Sequence, residues 1–140
     1  MIRVLVIAAA AMLAATPTAH ASPVRPDTAR VERYVRAHYP EVGTIGTVRS
    51  DRLPDHPSGR ACDLMVPGWD TPEGKALGDR MADDLLANAG PLGIKYVIWR
   101  QEYRTPGGVR RRMANRGNAT QNHYNHVHVT TWGDQGTEAL

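Results

Sequence analysis

The chain has 140 residues, with 17 lysines and arginines against 14 aspartates and glutamates, so its formal net charge is +3 with neutral histidines. A charge this mild does not favour nucleic acid as the main partner, whereas it suits contact with an anionic cell envelope. Cys62 is the only cysteine, which excludes an intramolecular disulfide. A small domain without a disulfide needs another source of stability, and a bound metal is a natural candidate.

Residues 1–21 have the pattern of a secretory signal peptide. One positive charge precedes the apolar run Val4–Ala15, which is too short to span a bilayer comfortably. Ala19-His20-Ala21 places small residues at the two positions that a signal peptidase recognises, so we expect cleavage before Ser22. An uncleaved N-terminal anchor is the alternative, and the break at Thr16-Pro17 argues against it. The sequence therefore predicts a secreted or envelope-associated protein.

The first element expected after cleavage is a helix within residues 22–40, preceded by a flexible, proline-bearing lead-in. Asp27 or Thr28 can cap its start, and Pro40 ends it. Four residues at helical spacing share one face, namely Val31, Tyr34, Val35 and His38.

Residues 41–132 are predicted to form the main domain, with a second helix and four strands. Thr71 with Pro72 predicts the start of this helix, and Gly90-Pro91 predicts its end. Its apolar stripe consists of Leu77, Met81, Leu85 and Ala89. Alternating and β-branched residues predict strands at Val42–Arg49, Ala61–Val66, Tyr96–Gln101 and His126–Trp132.

The connections complete the predicted architecture. Ser50–Gly59 contains prolines, aspartates and a glycine, which indicate a loop, and Thr105–Asn122 is expected to be a long surface loop. Residues 133–140 are expected to be a flexible tail. The order of helices and strands predicts an α+β fold with a small, mainly antiparallel sheet and flanking helices.

Two segments concentrate the residues that could carry chemistry. Strand alternation places His126 and His128 on one face of the last predicted strand. Asp63 lies between two apolar residues of an earlier strand, and a buried carboxylate needs a partner such as a metal ion. His56 comes from a loop in which Gly59 permits a tight turn back into that strand.

Two imidazoles and one carboxylate form a common ligand set for catalytic zinc. Three protein ligands leave a fourth position for water, whose pKa the metal lowers to roughly 7, so the water is a usable nucleophile. Structural zinc sites more often use four protein ligands with cysteines, and strand alternation turns Cys62 away from Asp63. These residue types therefore favour one catalytic zinc ion per chain.

The spacing of these residues resembles that of known enzymes. Residues 56–63, HPSGRACD, match the His-x-x-Gly-x-Ala-x-Asp zinc motif of the D-alanyl-D-alanine dipeptidases and carboxypeptidases at all four positions. Residues 126–128, HVH, resemble the closing motif of the lysostaphin-type and penicillin-insensitive murein endopeptidases. These groups share the hedgehog/D-Ala-D-Ala metallopeptidase fold, and the resemblance spans residues 49–130. The chain also resembles a family of small exported actinobacterial proteins of unassigned substrate.

The resemblance implies a role for each matching residue. His56, Asp63 and His128 would bind the metal, and His126 would lie beside it as a base or as a stabiliser of the transition state. A histidine that is merely exposed on the strand is the plain alternative for His126. Arg49 could bind a substrate carboxylate or a polarised oxygen by two hydrogen bonds, and a solvated arginine at a strand end is its plain alternative.

The general base is the point at which the chain departs from this pattern. In the dipeptidase branch an acidic residue lies three positions before the last ligand, and in this chain that position is Asn125. An amide cannot accept a proton at useful pH. Three alternatives remain open: His126 is the base, Glu102 or Asp55 reaches the site, or the protein binds zinc and ligand without hydrolysis.

Other polar residues could belong to a substrate cleft. Arg100 and Gln101 follow the apolar end of a predicted strand and could line it. The Arg110–Arg112 run could follow an anionic cell-wall polymer, although a short basic run is usually a solvated loop. His123 could be a further ligand or lie at the cleft entrance, and an ordinary loop histidine is the plain alternative.

Three functions are compatible with these motifs. The leading one is a zinc-dependent peptidase or amidase that acts on cell-wall (peptidoglycan) peptide, a substrate that rests on analogy. The second, favoured by Asn125, is a non-catalytic, zinc-stabilised module that binds envelope peptides or glycans. An HNH-type nuclease is disfavoured because His126–Trp132 alternates like a strand and no strong basic patch is present. We expect a monomer, without a nucleic-acid partner and without a membrane span after signal cleavage.

Overall fold

The computed structural model describes residues 23–139, in which three helices pack against a six-stranded sheet. The helices are α1 (Pro26–His38), α2 (Pro72–Ala87) and α3 (Ala89–Leu92). The strands are β1 (Ile45–Gly46), β2 (Ala61–Met65), β3 (Ile94–Trp99), β4 (Glu102–Arg104), β5 (Arg110–Arg112) and β6 (His126–Thr131). The predicted signal peptide lies outside the described residues. Between residues 23 and 139 no helix combines the length and the apolar character that crossing a bilayer requires.

The six strands form one open sheet in the order β1-β2-β6-β3-β4-β5. Every pair of neighbouring strands is antiparallel. The predicted α+β class with an antiparallel sheet is therefore confirmed. All six residues of β6 are buried, and this strand lies between β2 and β3 in the interior of the sheet.

One face of the sheet is apolar and packs against the helices, and the other carries polar residues. Cys62 and Leu64 of β2 lie on the face that packs against the helices, together with Val127 and Val129 of β6 and Trp99 of β3. All five are completely buried. The opposite face carries the polar residues of the same strands, since side chains alternate along a strand. The cross-strand pair Asp63–His128 lies on this second face.

The N-terminus of α1 differs from the prediction. Neither Asp27 nor Thr28 caps the helix, because Arg25 is the N-cap and Pro26 begins the helix. Proline suits this first position, where its missing N–H would have no helical acceptor. Asp27 and Thr28 lie within the first turn of the helix and are completely buried.

Asp27 instead holds the C-terminal segment. Its carboxylate oxygens accept hydrogen bonds from the backbone N–H groups of Gln135 and Gly136, each at 2.8 Å. Arg30 forms an ion pair with the same carboxylate at 2.6 Å. Residues 133–139, where the sequence predicts a flexible tail, are thus attached to α1 through a buried charge.

The helix α2 agrees with its sequence signals at the start and less well at the end. The hydroxyl of Thr71 accepts a hydrogen bond from the backbone N–H of Gly74 at 3.2 Å, which confirms the predicted N-cap. The helix ends at Ala87, and Gly90-Pro91 lie within the short helix α3 rather than marking the end of α2.

One predicted strand is shorter than expected and another is shifted by two residues. Only Ile45–Gly46 of the predicted strand Val42–Arg49 pairs with β2. Glycine weakens a strand because it has no side chain to pack and loses more backbone entropy. The strand predicted at Tyr96–Gln101 runs from Ile94 to Trp99 instead, and Arg100 and Gln101 form the turn into β4 with positive φ angles of 49° and 64°.

The strand β5 is an element that the sequence does not predict. It consists of three arginines within the expected surface loop Thr105–Asn122 and pairs with β4. A run of three charged residues lacks the alternation that marks a half-buried strand. Charged residues are, however, common on edge strands, where they oppose further strand pairing.

Gly78 of α2 is a close contact on which the helix–sheet packing depends. A Cβ at this position would overlap with Cζ2 of the buried Trp99 ring. We predict that Gly78→Ala lowers the free energy of unfolding by about 1–3 kcal/mol, measured by urea denaturation, because the ring has no room to shift. Gly90→Ala is the matched control, because a Cβ added there would meet no heavy atom of the described chain within 4 Å apart from its chain neighbours and the backbone of its own helix. Equal stabilities of the two variants would contradict this packing.

Candidate metal centre

Three elements bring the predicted ligands together on the open face of the sheet. Asp63 lies on β2 and His128 on β6, directly opposite each other in the strand pairing. His56 comes from the loop before β2. One donor atom from each residue can be chosen so that all three lie within 4.8 Å of one another. The structure therefore places the three residues where they could hold one metal ion.

One carboxylate oxygen, Oδ1 of Asp63, is the centre of this cluster. It lies 2.8 Å from Nδ1 of His128, 3.2 Å from Nε2 of His56 and 3.5 Å from Nε2 of His126. The other oxygen, Oδ2, lies 3.2 Å from a guanidinium nitrogen of Arg49. Two ligands of a tetrahedral ion at about 2.0–2.1 Å are roughly 3.3 Å apart, which is close to these separations.

A hydrogen bond on the side of the His56 ring that faces away from Asp63 determines which ring nitrogen carries the proton. Its Nδ1 lies 2.6 Å from the carbonyl oxygen of Thr47, which can only accept a hydrogen bond, so Nδ1 carries the proton. In the neutral ring Nε2 then presents a lone pair. This Nε2 is buried and has no hydrogen-bond partner within residues 23–139. A buried nitrogen without a partner costs stability, and a metal ion would satisfy it.

A hydrogen-bond relay orients His128 in the same way. Its Nε2 lies 2.9 Å from Oγ1 of Thr130, and this hydroxyl donates to Oδ2 of Asp55 at 3.2 Å. In the tautomer that fits this relay, the hydroxyl proton goes to the carboxylate and Nε2 of His128 donates to Thr130. The Nδ1 lone pair of the neutral ring is then directed at Asp63. Tyr96 also donates to Asp55, which fixes the far end of the relay.

In these tautomers, two imidazole lone pairs face one negatively charged oxygen. Burial, the largest effect, raises the pKa of Asp63, but hydrogen bonds with His128 and His56, which require a proton between each nitrogen and the carboxylate, outweigh it and hold this pKa well below its usual range. The carboxylate is thus ionised at neutral pH. Lone pairs directed at an anion repel it unless a cation or a proton lies between them.

Asn125, the residue that replaces the acidic base, contacts His126. Its Oδ1 lies 2.7 Å from Nδ1 of His126, and its Nδ2 donates to Oγ1 of Thr120 at 2.9 Å, which sets the orientation of the amide. Nδ1 of His126 therefore donates, and Nε2 faces Asp63. Burial lowers the pKa of His126 to about 4, although Asp63 opposes this shift, so the ring is neutral at neutral pH.

His123 is a fourth histidine in the same space. Its ring centroid lies 4.9 Å from that of His126 and 5.5 Å from that of His128. Its pKa is lowered to about 3, mainly by burial and to a smaller extent by repulsion from the neighbouring His126 and His128. Its backbone has a φ of 55°, a conformation that is uncommon outside glycine. The structure thus places it beside the cluster rather than on a free loop.

The two acidic residues considered as general base, Glu102 and Asp55, lie at different distances from the cluster. Glu102 does not reach the site, because its carboxylate pairs with Arg104 at 2.7 Å and with Arg110 at 3.2 Å on the helix-covered face. Asp55 lies close to the cluster but is engaged by Thr130 and Tyr96. The alternative in which Glu102 reaches the site does not agree with the structure, since strand alternation turns Glu102 to the other face. Asp55 contacts Thr130, which in turn contacts the candidate ligand His128.

Gln101 is a structural residue of the site whose role the sequence does not reveal. Its side chain is buried, donates to the carbonyl of Met113 at 2.9 Å and accepts from the hydroxyl of Tyr124 at 3.0 Å. Its backbone N–H donates to the carbonyl of Asn122 at 2.9 Å. Gln101 thereby attaches the segment that carries His123 to the β3–β4 turn. The sequence does not predict this role, because no local pattern marks a glutamine whose backbone adopts the left-handed conformation.

The cluster lies in a cleft of about 800 Å³. The floor is formed by histidines, with Tyr96 and Tyr103 extending across the sheet, and the walls come from the loop before β2 and the segment after β5. Four arginines line this cleft: Arg49, Arg52, Arg111 and Arg116. The site is therefore open to a ligand of several residues and is bordered by positive charge.

These features define a class, an α+β domain whose open sheet face holds a histidine–carboxylate cluster that could bind a metal. The chain belongs to the family of the VldE C-terminal domain, whose model matches residues 20–124. The matched segment contains His56 and Asp63 and ends before His126 and His128. Comparisons with curated proteins and with solved structures give no match. The family description names no reaction, so any statement about function depends on the site.

The cluster predicts stoichiometric metal binding. Protein stripped with chelator should bind one Zn²⁺ per chain, and zinc at a hundred times its Kd should stabilise the fold by about 2.7 kcal/mol. His56→Ala and Asp63→Asn should each abolish this stabilisation, whereas His38→Ala, an exposed histidine on α1, should retain it. Elemental analysis and thermal melts measure the two effects. Full zinc uptake by both cluster variants would contradict the assignment.

Proposed function

We propose that this protein is a secreted, zinc-dependent peptidase or amidase that acts on cell-wall peptide. The observation that carries the proposal is the close approach of Nε2 of His56, at 3.2 Å, and Nδ1 of His128, at 2.8 Å, to one oxygen of Asp63. The proposed fold relationship to the hedgehog/D-Ala-D-Ala metallopeptidases rests on the motifs at residues 56–63 and 126–128. Secretion rests on the pattern of residues 1–21.

The donor set is what favours zinc over other ions. Two imidazole nitrogens and one carboxylate oxygen suit zinc, whereas magnesium and calcium prefer oxygen ligands alone. When bound by three protein ligands, zinc supplies an acidic water and polarises a carbonyl group. Thr47 and Asp55, through Thr130, hold the two rings in position, and such outer contacts commonly tune affinity for the metal.

His126 is the residue of this chain that is best placed for proton transfer. Its Nδ1 proton is held by Asn125, so Nε2 is free to accept a proton or a hydrogen bond within the cleft. Asn125 therefore does not replace the base but orients it. Loss of a general base of this kind slows a reaction by about 10²–10⁴-fold.

Arg49 is proposed to bind the substrate next to the metal centre. Its side chain is 48% exposed, and one nitrogen contacts both Asp51 and Oδ2 of Asp63. Its other nitrogens can face the cleft, because a guanidinium has five N–H donors. A carbonyl oxygen or a carboxylate that gains negative charge would be stabilised by these donors.

A non-catalytic binding module is the second candidate, and the position of His126 favours it. Nε2 of His126 lies 3.5 Å from Oδ1 of Asp63, a separation that would also suit a fourth ligand. A site closed by four protein ligands is structural and leaves no vacant position for substrate. The two candidates therefore assign opposite roles to one nitrogen atom.

The His126→Ala variant separates the two functions. We predict that zinc-loaded protein cleaves an amide bond in purified muropeptides, that chelator stops the cleavage, and that His126→Ala keeps one zinc while losing at least about 10²-fold in rate. His38→Ala serves as the matched control and should cleave normally. Product analysis by mass spectrometry together with elemental analysis gives both readouts.

The opposite result would identify the binding module. Loss of zinc from His126→Ala, combined with retention of intact muropeptide by the native protein, would show that His126 closes a structural site. Absence of both cleavage and retention would refute cell-wall peptide as the ligand of either candidate.

A further inference from the structure

Because side chains alternate along β5, its three arginines lie on two different faces of the sheet. Arg110 pairs with Glu102 at 3.2 Å and with Asp83 at 3.7 Å, and Arg112 donates to the side chain of Gln101 at 3.2 Å. Arg111 points to the other face and lines the cleft. Its guanidinium carbon lies 5.2 Å from the centroid of the Tyr103 ring, on which it rests by a cation–π contact.

The charges of the cleft are not balanced within the described chain. Of the acidic residues that line it, Asp51 pairs with Arg49, and Asp55 accepts hydrogen bonds from Tyr96 and Thr130. Within residues 23–139, no carboxylate oxygen lies within 4.0 Å of the side-chain nitrogens of three cleft arginines: Arg52, Arg111 and Arg116. A cleft wall with such an excess of guanidinium groups attracts an anionic ligand.

A row of rings leads from the candidate metal centre to Arg111. The centroid of His128 lies 6.1 Å from that of Tyr96, which lies 4.8 Å from that of Tyr103. Arg111 follows on the next strand. The row crosses β6, β3, β4 and β5, and three inter-strand spacings of about 4.8 Å amount to roughly 14 Å.

We propose that Arg111 binds a carboxylate of an extended acidic peptide, about four residues from the bond that lies at the metal centre. Extended chain advances about 3.3–3.4 Å per residue, so roughly 14 Å corresponds to four residues. The Tyr96 and Tyr103 rings form the floor beneath the intervening residues. A guanidinium fits a carboxylate by two parallel hydrogen bonds, which a neutral side chain cannot reproduce. This inference rests on the proposed metal centre and assigns its substrate class.

A series of peptide hydroxamates tests the spacing without requiring turnover. The hydroxamate anchors the peptide at the zinc ion, and a single glutamate is placed one to six residues away in peptides of constant length and charge. A second series carries the hydroxamate at the opposite end of the peptide, so that both directions across the cleft are covered. Glutamine replaces the glutamate in matched peptides. Isothermal titration with zinc-loaded protein gives the Kd of each peptide.

The expected result is an optimum at three to five residues in one series. There the glutamate peptide should bind about tenfold more tightly than its glutamine counterpart, a gain typical of a charge-assisted hydrogen bond. Arg111→Gln should remove this gain while leaving the Kd of the glutamine peptides unchanged. Arg111→Lys should retain only part of it. Arg36→Gln, an exposed arginine on α1 with the same loss of charge, is the control and should behave as the native protein.

Two other outcomes would overturn the inference in distinguishable ways. Tight binding of the hydroxamates with no dependence on glutamate position would refute the Arg111 subsite and leave the metal centre intact, and it would instead indicate general attraction of polyanions such as acidic glycans. Failure of both hydroxamate series to bind zinc-loaded protein would refute the metal centre as an open site, and the subsite with it.

Discussion

The structure of the site depends on one buried carboxylate oxygen. Oδ1 of Asp63 lies within 3.5 Å of a nitrogen from each of three histidines, and hydrogen bonds on the far side of the His56 and His128 rings favour tautomers in which two of these nitrogens carry lone pairs. Such an arrangement is electrostatically unfavourable without a positive charge at its centre. The cluster around Asp63 could therefore hold a cation, and the fold keeps its three candidate ligands together.

The outer contacts are as informative as the ligands themselves. Each of the three histidines has one ring nitrogen that faces away from Asp63, and each of these nitrogens contacts a polar group. The partners are the carbonyl of Thr47 for His56, the hydroxyl of Thr130 for His128 and the amide of Asn125 for His126. These contacts select the tautomer and the ring orientation before any ion binds, which lowers the reorganisation that binding requires. Asn125, which looks like a missing base in the sequence, belongs to this set.

The alternation of side chains along the strands places core residues on one face of the sheet and cleft residues on the other. Along β6 the valines enter the core and the histidines enter the cleft. Along β5 Arg110 forms ion pairs and Arg112 donates to Gln101 on one face, while Arg111 borders the cleft on the other. A single sheet thus supplies the core on one face and a polar site on the other. The β3–β4 turn adds the remaining wall, because buried Gln101 attaches the segment that carries His123.

The sequence by itself determined the α+β class, the N-cap at Thr71 and the β6 strand, because these depend on periodicity and on local hydrogen bonding. It also singled out His56, Asp63 and His128, since their spacing matches a ligand motif. Only the tertiary structure decided that Glu102 lies on the far face, that Asp55 orients His128, and that Asp27 holds the C-terminal segment. These roles depend on register and on contacts between residues far apart in the chain, for which no local pattern exists.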